Sequence, residues 1–155
     1  MFNIEQPTEN HVLRRLVPQS RLPGHMSSGL LIVDDDAVIR SALRSFVEAD
    51  GYRVCGEAAD GLEAIEQARE LQPDLILLDL AMPRLNGAEV AGILKSEMPG
   101  VKIVLLTMYA DQFSEKLASA VGIHVVLAKP EGLSVLSERL KALLNPTDES
   151  PANAN

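Results

Sequence analysis

The stretch Leu30-Leu31-Ile32-Val33-Asp34-Asp35-Asp36 passes directly from four aliphatic residues to three carboxylates. Three later stretches have the same form, an apolar run that ends at one polar residue. They are residues 75–78 before Asp79, residues 103–106 before Thr107, and residues 125–128 before Lys129. Runs that are apolar throughout, rather than alternating, are typical of parallel strands covered on both faces. These stretches therefore predict buried parallel strands.

Segments with helical periodicity alternate with the apolar runs. Apolar residues recur at spacings of three and four in residues 38–47, 62–71, 90–98, 113–121 and 133–144. Asp36 and Asp60 are placed to cap the first two helices, and Gly51 follows the first as a stop. With residues 52–57 as a further strand, the chain has repeated β-α units. This pattern predicts an α/β fold with a doubly wound, five-stranded parallel sheet flanked by five helices.

The chain of 155 residues has room for one domain of common size. Residues 29–145 contain all the periodic segments and are expected to form that domain. Residues 1–28 contain Pro, Gly and Ser residues that interrupt any periodicity, so they are interpreted as a flexible arm. Residues 146–155 are interpreted in the same way as a disordered tail.

The charge of the chain is acidic. Its net charge is −8, and the first 29 residues carry two Glu and three Arg, which leaves −9 for residues 30–155. An acidic body argues against direct binding of nucleic acid, which needs clustered Lys and Arg. Arg40 and Arg44 are interpreted as solvated charges that balance this acidic surface.

Other features of the sequence indicate where the protein is located and which covalent or metal sites it can have. No apolar run approaches the roughly 18 residues of a membrane-spanning helix, so no contact with a membrane is expected. The N-terminus lacks the basic start and long apolar stretch of a secretory signal, and a cytoplasmic location is expected. The single Cys55 excludes an intramolecular disulfide and a metal site with several cysteines.

The polar residues that end the apolar runs suggest the chemistry of the site. In an open parallel sheet, ligands bind beyond the carboxyl ends of the strands. Asp34, Asp35 and Asp79 would meet there, and their repulsion favours a hard cation such as Mg²⁺. Lys129 and Thr107 offer a charge and a hydroxyl to the oxygens of a phosphoryl group. The set predicts a metal site that handles a phosphoryl group, with an aspartate as the nucleophile.

These stretches resemble the receiver domain of bacterial two-component response regulators. The resemblance covers residues 30–144 and rests on a set of short motifs. They are Leu31-Ile32-Val33-Asp34-Asp35-Asp36, Leu77-Leu78-Asp79-Leu80-Ala81-Met82-Pro83, Asn86-Gly87, Ile103-Val104-Leu105-Leu106-Thr107 and Lys129-Pro130. The resemblance implies the flavodoxin-like receiver fold, with strand order 2-1-3-4-5.

The resemblance also implies roles for the acidic residues. Asp79 would accept a phosphoryl group from the histidine of a sensor kinase or of a phosphotransfer protein. Asp35 and Asp79 would bind Mg²⁺ directly, together with the backbone carbonyl of Ala81. Asp34 would assist through a water molecule.

The switch of the family joins a Thr to an aromatic residue on the fifth strand. By the resemblance, Thr107 and Lys129 would contact the aspartyl phosphate. The position three residues before Lys129 is Val126, whose side chain has few rotamers and no ring. Tyr109 is interpreted as an exposed loop residue, with a substitute role in switching or shielding as the alternative.

The function implied by the resemblance is that of a phosphoacceptor, with no enzymatic activity beyond its own phosphorylation and dephosphorylation. We expect a stand-alone, single-domain response regulator that signals by a conformational change. The output surface of the family would run here from about Asp111 to Leu144. It would face a downstream protein or a second copy of the chain.

Two alternatives remain open from the sequence. The first is an interaction module of receiver fold that works without phosphorylation, because Val126 replaces the aromatic residue. The other is a haloacid-dehalogenase-like phosphatase, since Asp34-Asp35-Asp36-Ala37-Val38 fits its nucleophile motif with Asp34 as the nucleophile. That class also needs a second acidic pair, and none occurs near Thr107 or Lys129.

Overall fold

The computed structural model describes residues 29–108, 110–112, 115–129 and 133–144. The strands within these residues are β1 (Gly29–Val33), β2 (Arg53–Ala58), β3 (Leu75–Asp79), β4 (Lys102–Thr107) and β5 (Val125–Ala128). The α-helices are α1 (Ala37–Ala49), α2 (Gly61–Leu71), α3 (Gly87–Glu97), α4 (Glu115–Ala120) and α5 (Leu133–Leu144), and Ala110–Gln112 forms a 3-10 turn. The predicted arm, the predicted tail and Tyr109 lie outside the described residues.

The described strands form a parallel sheet in the order β2-β1-β3-β4-β5. The predicted fold and strand order are therefore confirmed. Val33, at the end of β1, pairs with Ala58 on one side and Leu78 on the other. Asp79, at the end of β3, lies opposite Leu106 of β4. The carboxyl ends of β1, β3 and β4 are thus side by side.

Both faces of the sheet are covered by helices. Alternate residues of β1, β3 and β4 belong to two separate buried clusters, as the two-residue period of a strand requires. Leu31 and Ile76 face one cluster, which includes residues of α2, α3 and α4. Leu30 and Leu75 face the other, which includes residues of α1 and α5. Burial on both faces explains why these strands are apolar throughout.

Polar side chains fix the starts of the first three helices. Asp36 and Asp60 accept hydrogen bonds from amides in the first turns of α1 and α2, as predicted. At α3, Asn86 and Glu89 form a reciprocal capping box, which the periodicity alone did not indicate. These caps set where the chain leaves the edge of the sheet.

The predicted fourth helix, residues 113–121, corresponds to α4. It begins at Glu115 and ends at Ala120, and Phe113 lies outside the described residues. Gly122 follows in a turn with φ +85°, a left-handed conformation that ends helical geometry. Within the described residues, no helix is long and apolar enough to cross a membrane.

Candidate metal and phosphoryl site

Three carboxylates meet at the carboxyl edge of the sheet. Asp34 and Asp35 follow β1, and Asp79 is the last residue of β3, so the pairing of these two strands brings them together. One oxygen from each of the three lies within 4.8 Å of the others. Asp34 and Asp79 are only 1% and 8% exposed, whereas Asp35 is exposed. This donor set fits a hard divalent cation.

Lys129 reaches two of these carboxylates from the end of β5. Its Nζ lies 2.6 Å from Oδ2 of Asp34 and 3.2 Å from Oδ1 of Asp79. Its backbone amide donates a hydrogen bond to the carbonyl of Thr107 at 2.9 Å, which fixes the chain where β5 ends. The sequence placed Lys129 in the site, but it did not indicate that the ammonium already joins two strands there.

The electrostatics of the site favour a further positive charge. Burial raises the pKa of Asp79, the charges of Asp34 and Asp35 act in the same direction, and Lys129 opposes them. For Lys129, burial acts to lower the pKa, but the hydrogen bond to Asp34 and the charges of Asp79 and Asp34 outweigh it, so this pKa is raised. The formal charges of three carboxylates and one ammonium sum to −2, which one divalent cation would balance.

The loop after β3 approaches the site closely. The amide of Gly87 donates to the carbonyl of Leu80 at 2.8 Å, and a Cβ on Gly87 would collide with the carbonyl oxygen of Asp79. Glycine is therefore required where α3 begins. Ala81 lies exposed in this loop, two residues after Asp79. Its predicted role as a carbonyl ligand stays a prediction.

Thr107 and Val126 lie on the neighbouring strands β4 and β5. Thr107 is the last residue of β4 and is 1% exposed, one residue beyond the one that pairs with Asp79. Val126 is half-buried and pairs with Leu105 in the middle of β5. Its predicted place in the switch stays a prediction.

Arg40 and Arg44 are not the purely solvated charges that the sequence suggested. Nη1 of Arg40 donates to the backbone carbonyl of Asp34 at 2.7 Å. Nη1 of Arg44 donates to Oε2 of Glu57, on β2, at 2.6 Å. The sequence around the two arginines could not indicate these contacts, because the acceptors lie outside helix α1.

The fold and the site define a doubly wound α/β protein with an acidic centre at the carboxyl edge of its sheet. A family model described as the response regulator receiver domain matches residues 30–141. The chain therefore belongs to the response regulator receiver family, as the motifs predicted.

Curated relatives agree with this assignment. The response regulator MprA of Mycobacterium ulcerans is 41% identical over 123 residues, which cover 79% of this chain and 52% of that protein. The DNA-binding response regulator MtrA of Mycobacterium tuberculosis is 35% identical over 127 residues, which cover 82% of this chain and 55% of that protein. The chain thus spans about half the length of these relatives. These relatives do not support the expectation that the protein stands alone or the expectation that it does not contact nucleic acid. Both stay predictions.

Solved structures show the same fold. The response regulator domain of Thermotoga maritima CheB is 30% identical with a TM-score of 0.67, over 76% of this chain and 94% of that one. A CheY-like receiver domain protein from Methanospirillum hungatei is 27% identical with a TM-score of 0.70, over 77% and 95% of the two chains.

Proposed function

We propose that the protein accepts a phosphoryl group on Asp79, in a reaction that depends on Mg²⁺, from the phosphohistidine of a sensor kinase or phosphotransfer protein. The observation that carries the proposal is the position of Asp79. Its carboxylate lies within 4.8 Å of those of Asp34 and Asp35, and Lys129 Nζ is 3.2 Å away. A nucleophile with cationic and metal-binding groups around it is the arrangement that phosphoryl transfer needs.

The two neighbouring aspartates have different parts in this proposal. Asp34 is buried and engaged, since Oδ2 accepts from Lys129 at 2.6 Å and Oδ1 accepts from the amide of Asp36 at 2.9 Å. Asp35 is exposed and is proposed as a direct Mg²⁺ ligand, with Asp79 and the carbonyl of Ala81. Asp34 would act through water. Bound Mg²⁺ would supply charge neutralisation at the phosphoryl oxygens.

The transfer step uses Asp79 as the nucleophile. A carboxylate oxygen attacks phosphorus and forms a P–O bond, while the P–N bond to the donor histidine breaks and the imidazole nitrogen keeps the electron pair. The ammonium of Lys129 and the hydroxyl of Thr107 stabilise the phosphoryl oxygens. Asp79 carries the group afterwards, so no proton transfer to the chain is required.

The output is proposed to be a conformational change read by another protein. Phosphorylation adds about −1.5 to −2 charges at one point of the sheet edge. The readout surface runs from Asp111 to Leu144, toward a downstream protein or a second copy of the chain. Val126 favours one second candidate, an interaction module that works without phosphorylation, since it gives Thr107 no aromatic partner on β5. The family assignment lends no support to the phosphatase alternative with Asp34 as nucleophile.

Acetyl phosphate with Mg²⁺ tests the phosphoacceptor directly, with intact mass as the readout. We expect a gain of one phosphoryl group that requires Mg²⁺ and is absent in Asp79→Asn. Asp36→Asn is the matched control, because Asp36 caps α1 and lies outside the carboxylate cluster, so this variant should still be phosphorylated. A wild-type protein that gains no mass would support the phosphorylation-independent module.

A further inference from the structure

Arg40 connects helix α1 to the backbone that carries the acidic cluster. Its Nη1 donates a hydrogen bond of 2.7 Å to the carbonyl oxygen of Asp34, six residues earlier. The side chain of Arg40 is 19% exposed, so most of this long cationic group is withdrawn from water. A charged donor on a backbone carbonyl is among the stronger hydrogen bonds in proteins.

The guanidinium of Arg40 is held from its other side by strand β2. Its Nε lies 3.6 Å from Oε1 of Glu57, whose second oxygen accepts from Arg44 at 2.6 Å. Arg44 also pairs with Glu48 at 3.0 Å, one turn further along α1. Glu57 lies opposite Ile32 of β1, so its backbone is held by the sheet. Three helix residues and one strand residue thus form a connected set of charges beside the end of β1.

The contact at the Asp34 carbonyl has a geometric effect on Asp35. The carbonyl of Asp34 and the amide of Asp35 belong to one planar peptide group. The other side of Asp34 is also fixed, because its own amide donates to the carbonyl of Ala58 at 3.1 Å. A hydrogen bond that holds the peptide plane therefore sets the direction in which the exposed side chain of Asp35 leaves the backbone.

We propose that Arg40, held by Glu57, is a positioning residue that orients Asp35 toward the divalent cation. This inference rests on the proposed function, in which Asp35 is a direct metal ligand. Only an arginine has the planar fork that reaches a carbonyl and a carboxylate together. Groups that orient metal ligands in this way typically change metal affinity by about 10- to 100-fold when they are removed.

Titration of the full chain with Mg²⁺ alone, followed by calorimetry, tests this role. We expect Arg40→Met to weaken Mg²⁺ binding about tenfold, the lower end of that range, because Arg40 acts through the backbone. Arg44→Met is the matched control. It removes the same charge from the same helix and also breaks a contact with Glu57, but Arg44 does not contact Asp34. It should bind Mg²⁺ within about twofold of the wild type. Equal losses in the two variants would overturn the proposal, because the hydrogen bond from Arg40 to the carbonyl of Asp34 would then make no difference.

Phosphorylation by acetyl phosphate provides a second readout that a purely structural role would not produce. In Arg40→Met, the Mg²⁺ concentration for half-maximal rate should rise about tenfold while the rate at saturating Mg²⁺ is kept, because Asp79 and Lys129 are intact. Glu57→Gln should also raise the Mg²⁺ concentration for half-maximal rate. If Arg40→Met does not fold, the Glu57→Gln variant provides the test. Wild-type affinity in folded Arg40→Met, or in folded Glu57→Gln, would overturn the inference. A wild type that binds Mg²⁺ but accepts no phosphoryl group would instead refute the proposed function.

Discussion

At the scale of single residues, the charge balance of the site depends most directly on Lys129. Its Nζ contacts two buried carboxylates, Asp34 and Asp79, and it is half-buried itself. Removing one partner from such a set leaves uncompensated buried charge, which costs far more than an exposed ion pair contributes.

Lys129→Met should therefore destabilise the protein strongly in the absence of divalent cations. We expect the free energy of unfolding, measured by urea denaturation with EDTA present, to fall by about 3 kcal/mol. The same substitution made in an Asp34→Asn background should cost clearly less, because one of the two partners is then neutral. Equal costs in the two backgrounds would show that Lys129 and Asp34 are not energetically coupled.

At the scale of the elements, the ends of strands and helices are fixed by a few specific contacts. His124 precedes β5, and its Nδ1 accepts a hydrogen bond from the amide of Ile103 at 3.1 Å. Its own amide donates to the carbonyl of Ile103 at 2.8 Å, so the pair aligns β5 with β4. Burial lowers the pKa of His124, and the charge of Lys102 acts in the same direction.

This pairing predicts a pH dependence of stability. Protonation of Nδ1 removes the acceptor, and the folded-state pKa of His124 lies below its ordinary value of 6.5. His124 therefore contributes stability that is present above that value and is lost as the pH falls through the folded-state pKa. Urea denaturation at about pH 7.5 and about pH 5.5 should show a larger loss for the wild type than for His124→Asn, which does not titrate. Parallel losses in the two proteins would contradict this account.

Two glycines of α3 provide an internal comparison. At Gly87, a Cβ would collide with the carbonyl of Asp79, whereas Gly92 has no heavy atom near that position. Gly87→Ala should lower both stability and the rate of phosphorylation, because the acceptor strand must shift. Gly92→Ala should stabilise the protein by about 1 kcal/mol, since alanine favours a helix. Thermal unfolding measures the change in stability, and intact mass after acetyl phosphate treatment measures the change in phosphorylation. If Gly87→Ala changes neither, the loop can shift without moving Asp79.

At the scale of the whole molecule, the negative charge at the sheet edge should link folding to divalent cations. A ligand that binds only the folded state raises its stability by about 2.7 kcal/mol at a concentration of 100 Kd. The Tm of the wild type should rise with Mg²⁺, and Asp35→Asn should abolish most of this rise without touching the buried Asp34–Lys129 pair. The same rise in both proteins would place the cation elsewhere.

Much of the architecture could be predicted from the sequence, because the strands have a clear pattern. Continuous apolar runs ending in Asp34, Asp79 and Thr107 indicated buried parallel strands, and the parallel arrangement brought the carboxylates together. The strand order followed from the resemblance, since local pattern does not specify which strands are neighbours. The contacts of Lys129 and Arg40 could not be predicted, because they depend on how distant elements pack. The end of α4 was predicted one residue too late, at Val121, because the apolar spacing does not show that the backbone turns before Gly122.

The 95 residues that separate Asp34 from Lys129 have a consequence for the order in which the protein is made. A ribosome releases β1, β2 and β3 before residue 129 has been synthesised, so the three carboxylates can converge on a nascent sheet that still lacks its ammonium. A divalent cation bound at the proposed site would relieve that repulsion during translation. Such a cation would act first during folding, and the arrival of β5 would then add the ammonium of Lys129, which takes over part of the charge balance.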